Sequence, residues 1–111
     1  MSWPAAMLAL LAAALLEVGG DALVRGGLQA GSWPLRFGLI GAGGLLLLLY
    51  GLVVNAPAWD FGRLLGVYVA VFFIVAQAIN LAAFGVRPAS GVLVGGALIV
   101  AGGLIVAFWR G

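Results

Sequence analysis

The chain of 111 residues contains no Cys, no His and no Lys, and only 7% of its side chains are charged. Without Cys or His there is no disulfide framework, no zinc site of the usual kind, no cysteine nucleophile and no Ser-His-Asp triad. Five Arg against three acids give a net charge of +2, too little for a nucleic-acid surface. A soluble domain carries about 25% charged residues and about 45–50% apolar ones. Here 66% are hydrophobic and the mean hydropathy is +1.30, so the polar side chains cannot cover a water-facing surface. The composition describes an integral membrane protein, and its few polar groups are where function is to be sought.

A bilayer core of about 30 Å takes about 20 apolar residues at 1.5 Å per residue. Four such stretches are legible: about 4–24, 34–54, 61–84 and 90–109. Span length, and the absence of apolar/polar alternation, predict helices rather than strands. Pro4 and Pro34 stand at helix starts, where a missing N–H costs little. Trp3, Trp33, Trp59 and Trp109 fall at span ends, the level at which amphipathic rings anchor in headgroups. The expected architecture is therefore all-α, a single four-helix transmembrane domain with short loops. A cleaved signal peptide is not expected, because no Lys/Arg precedes the first span and Glu17 and Asp21 interrupt its distal part. Arg25, Arg36 and Arg87 fall on one side, against Arg63, Arg110 and the amino terminus on the other. That near balance leaves little positive-inside bias and permits an antiparallel pair of identical chains.

Glu17 lies about two-thirds along the first expected span, with Asp21 one turn further and Arg25 another turn on, so the three share one helix face. A carboxylate at membrane depth costs several kcal/mol unless neutralised or paired, and it persists where it faces protein or a water-filled cavity. Two acids one turn apart exchange protons as a coupled unit. Glu17 and Asp21 are thus the candidate proton- and substrate-binding residues, Glu17 foremost. An i,i+4 pair between Asp21 and Arg25 at the membrane edge is the structural alternative for Asp21. On the third span, Phe73, Gln77 and Asn80 follow a 3/4 spacing. With Tyr68 on that span and Tyr50 on the second, they are candidates to line a cavity opposite Glu17, although Gln and Asn at depth also join helices by hydrogen bonding. Phe72 or Phe73 would offer an aromatic surface to an organic cation.

Nineteen Gly suit close approach of helix backbones. On the fourth span Gly91 and Gly95 are four residues apart, and the pair Gly95-Gly96 recurs as Gly102-Gly103. These five form a candidate ridge for helix packing or dimer contact. No nucleophile, metal ligand or cofactor motif accompanies the acids, so neither catalysis nor a cofactor or metal is expected.

The segments Leu16-Glu17-Val18-Gly19-Gly20, Trp33-Pro34, Gly62-Arg63-x4-Tyr68 and Phe84-Gly85-Val86-Arg87-Pro88, in a chain of four spans, resemble the small multidrug resistance superfamily and in particular its YnfA-like branch. The resemblance runs along nearly the whole chain. It implies a proton-coupled antiporter of the bacterial inner membrane that exports small cationic or lipophilic compounds as an antiparallel homodimer. Glu17 would bind protons and substrate competitively, and the fourth-span glycines Gly95, Gly96, Gly102 and Gly103 would make the dimer contact. The family's exporters usually carry a Trp within the third span, whereas the nearest here is Trp59, outside it. Asp21 is also an addition to their pattern. Two other readings fit the residues: a non-transporting subunit packed against a larger membrane partner, and a component of a lipid-linked-sugar flippase.

Overall fold

The computed structural model describes residues 1–109, and Arg110 lies outside them. Four helices account for most of that length: α1 (Trp3–Leu28), α2 (Trp33–Val54), α3 (Phe61–Phe84) and α4 (Ser90–Phe108). All four are long and apolar enough to cross a membrane. Each start and stop has a local cause. The Ser2 hydroxyl accepts a hydrogen bond from Ala5 N–H at 3.3 Å ahead of Pro4, and Asp60 Oδ2 accepts from Arg63 N–H at 3.1 Å. Both satisfy donors that a helix start leaves free. At the end of α3, Gly85 takes the left-handed conformation (φ 64°). This lets Gly85 N–H donate to Leu81 O and Val86 N–H to Asn80 O, closing the helix.

The first helix runs four residues beyond the expected Val24. Its extra turn is held by packing against α2: a Cβ on Gly27 would lie 2.9 Å from the Arg36 carbonyl oxygen. The Arg36 guanidinium also donates to Leu28 O at 3.3 Å, capping one of the last carbonyls of α1. Glu17 consequently sits close to the midpoint of α1, and Asp21 lies well inside the helix rather than at its edge.

Helix α1 packs against α2 and α3, and α4 packs against α3. The helices therefore form an open row, α2–α1–α3–α4, rather than a closed bundle, and the chain measures 53 × 34 × 19 Å. The buried core lies where α1, α2 and α3 meet, around Leu10, Ala13, Ala14, Val54, Leu64 and Val67. Outside it, large apolar side chains such as Leu8, Leu48, Ile74 and Leu98 are exposed, as lipid-facing surface requires.

The two outer joints use glycine differently. Between α1 and α2 the backbones touch: a Cβ on Gly43 would lie 2.7 Å from Gly20 O, and one on Gly20 would lie 3.0 Å from Gly43 O. Between α3 and α4, Gly96 lies under the Phe73 ring and Gly103 against Ala70. This divides the expected fourth-span ridge between its two alternatives, helix packing and an open contact face. Gly96 and Gly103 pack within the chain, because the seven-residue spacing that aligns them also aligns them with α3. A Cβ placed on Gly91, Gly95 or Gly102 would meet no heavy atom within 4 Å, so these three form a separate, open face of α4.

Candidate functional site

Glu17 is the point at which three helices converge. The Tyr68 hydroxyl, from α3, donates to Glu17 Oε1 at 2.7 Å. Tyr68 is only 4% exposed, and its ring lies 5.6 Å from Tyr50 of α2 and 6.1 Å from Phe72. Glu17 itself is half-buried. Small residues make this possible: Ala13 and Ala14 are fully buried on α1 just before the acid, and Gly20 follows it, so α2 and α3 approach closely enough for the two tyrosines to gather around one carboxyl. An O–H···O contact of this length is a strong one, and it occupies one carboxyl oxygen. The second oxygen has no protein partner among the hydrogen bonds of the described residues. The arrangement can hold a proton or face a cation at one oxygen while Tyr68 fixes the orientation of the group.

Asp21, one turn further along α1, has a different setting. It is exposed and borders two adjoining clefts between the distal halves of α1 and α3. The smaller, of about 270 Å³, is lined by Val18, Asp21, Phe72, Gln77 and Asn80 among others. The larger, of about 730 Å³, is lined by Asp21, Arg25, Gln29, Asn80, Phe84 and Val86 among others. The two share Asp21, Asn80 and Phe84. Asp21 and Arg25 face the same cleft, and no hydrogen bond between them occurs among the described residues.

The expected cavity-lining residues thus divide. Tyr50 and Tyr68 are at Glu17. Gln77 and Asn80 are not opposite Glu17. Helices α1 and α3 run in the same direction and meet at Glu17 and Tyr68, so Gln77 and Asn80 lie about 13 and 18 Å further along α3 at 1.5 Å per residue, on the cleft that Asp21 borders. Phe73 is turned away from both acids and its ring covers Gly96, because it falls on the α4-facing side of α3. Phe72 takes the place next to Tyr68. Sequence reasoning missed Arg63 as a helix-pairing residue. Its guanidinium donates to Ala107 O at 3.0 Å and lies 4.9 Å over the Trp59 ring, which stacks on Trp3. The available signal was the cluster Trp59-Asp60-x2-Arg63 at a span mouth, a headgroup-level anchor with a cation beside it.

Comparison with models of known protein families, with curated proteins and with solved structures finds no match for this chain.

Proposed function

We propose that this chain is a proton-coupled membrane transporter that exports small cationic or lipophilic compounds, in the manner of the small multidrug resistance superfamily that its sequence resembles. The observation that carries the reading is the Glu17–Tyr68 hydrogen bond inside a helix long and apolar enough to span a membrane. An ionisable group at such a depth is costly and marks a functional site by default. Glu17 binds either protons or substrate, and mutually exclusive occupancy links inward proton flow to outward substrate flow. An antiparallel homodimer in a bacterial inner membrane completes the proposal. Its support is the open row of helices, which leaves Gly91, Gly95 and Gly102 on a bare face of α4 and Gly41, Gly44 and Gly51 on a bare face of α2. Alternating access then consists of one protomer exchanging shape with the other.

The same open faces fit a non-transporting subunit bound to a larger partner, and one experiment separates the two. Purified protein is titrated with quaternary ammonium and guanidinium compounds while proton release is recorded, in the wild type and in Glu17→Gln. Release from the wild type and none from the variant is the expected result. Release that survives Glu17→Gln defeats the mechanism, and no release from either protein favours the subunit.

A further inference from the structure

The cleft at the distal end of α1 and α3 is not explained by a proton site at Glu17. It pairs an acid with a base that are not bonded to each other, Asp21 and Arg25, on one wall. Asn80 and Gln29 add neutral donors and acceptors, and Phe84 and Val86 give an apolar side. The mouth of the cleft is positive. Arg25 lies one turn nearer the helix end than Asp21, Arg36 is held at Leu28 on the cleft's rim, and Arg87 follows Val86. A cationic group entering here passes that positive potential before it reaches Asp21, and an anionic group travelling behind it offsets the cost. A molecule whose cationic group leads and whose anionic group trails is attracted at both positions.

We propose that this cleft binds a dipolar amphiphile: an ammonium group at Asp21, a carboxylate or phosphate at Arg25, and an apolar body against Phe84 and Val86. Side chains four residues apart on a helix have Cβ atoms about 6 Å apart. That matches an ammonium and an anion separated by a few methylenes. A zwitterionic phospholipid of the surrounding leaflet offers the same two charges in the opposite order, since its ammonium lies on the water side of its phosphate. Asp21 is the deeper residue, so the order of charges assigns the cleft to a solute rather than to that headgroup. The inference rests on the transport reading and refines its substrate class, because the smaller cleft ends on Phe72, the neighbour of Tyr68.

The test is equilibrium binding by calorimetry to full-length protein in lipid nanodiscs, with no gradient and no transport. Its outcome is therefore separable from that of the Glu17→Gln experiment. Three probes share one skeleton: 4-(benzylamino)butanoate carries both charges, its methyl ester only the cation, and 6-phenylhexanoate, with a methylene in place of the ammonium, only the anion. The expected result is that the zwitterion binds at least about tenfold tighter than either single-charge probe, a difference of one decade in Kd. Arg25→Gln removes its advantage over the ester and Arg25→Lys restores it, while Asp21→Asn removes its advantage over phenylhexanoate. Equal binding of the ester or of phenylhexanoate to the wild type overturns the proposal, as does a preference over the ester that survives Arg25→Gln. The wild-type series decides the matter if the variants fold poorly. Affinity is expected to be the same in phosphatidylglycerol and phosphatidylethanolamine discs. Loss in the latter assigns the cleft to the lipid headgroup and overturns the solute.

Discussion

Glu17 and Asp21 are acids one turn apart on the same helix, and the protein treats them oppositely. Glu17 stands where α2 and α3 both press on α1, and a buried tyrosine holds one of its oxygens. Asp21 stands where α3 has diverged from α1 enough to leave clefts, and its neighbours there are amides and an arginine. The lesson concerns contact geometry rather than residue type. Helices that cross rather than run parallel can enclose a side chain at the crossing and expose the next one on the same face. A closed site and an open site can thus share a single stripe.

The comparison is broken most severely at Glu17. Glu17→Gln is expected to abolish cation-driven proton release, whereas Asp21→Asn is expected to leave it measurable. Loss with both variants, read by a pH-sensitive dye on purified protein, would assign the proton to the coupled pair and erase the contrast. Next in size is the joint that draws α2 onto α1. Gly43→Val places carbon against the backbone of Gly20 and is expected to destabilise the protein by about 2–3 kcal/mol. Gly44→Val, on the open side of α2, stays within about 0.5 kcal/mol. Denaturant unfolding in detergent micelles measures both. Tyr68→Phe removes the donor to Glu17 and is expected to lower stability by about 1 kcal/mol, the usual worth of a hydrogen bond between helices in a membrane. Asp21→Asn, which breaks no protein contact, is expected to leave the same unfolding midpoint unchanged. The smallest effect is expected on α4, where Gly102→Val leaves the unfolding of the single chain unaltered and weakens self-association, read by cross-linking. Gly103→Val does the reverse, because Ala70 occupies the space.

Much of this molecule is written locally. The four spans follow from run length and hydropathy, which act through the solvent and need no knowledge of neighbours. Ser2, Asp60 and Gly85 bound their helices through hydrogen bonds and backbone freedom within a few residues. The scarcity of charge pointed to Glu17 for the same reason: the penalty for an acid at membrane depth depends on the medium, not on the partner. The end of α1 was less legible, since Arg25-Gly26-Gly27 looks like a terminus and continues as helix only because Gly27 fits against α2.

What tertiary structure alone decided is which faces meet. A glycine pair such as Gly102-Gly103 puts one residue toward α3 and one toward open space, and the sequence cannot tell them apart. Phe72 and Phe73 are equivalent by composition and separated by about 100° of helix rotation, so one reaches the Tyr68 cluster and the other covers Gly96. Tyr68 rather than Gln77 or Asn80 meets Glu17 because of the axial register of α1 on α3, which close packing around Ala13, Ala14 and Gly20 sets. Hydropathy carries no term for rotation or register. The absent charges located the acid, and the packing of small residues gave it its partner.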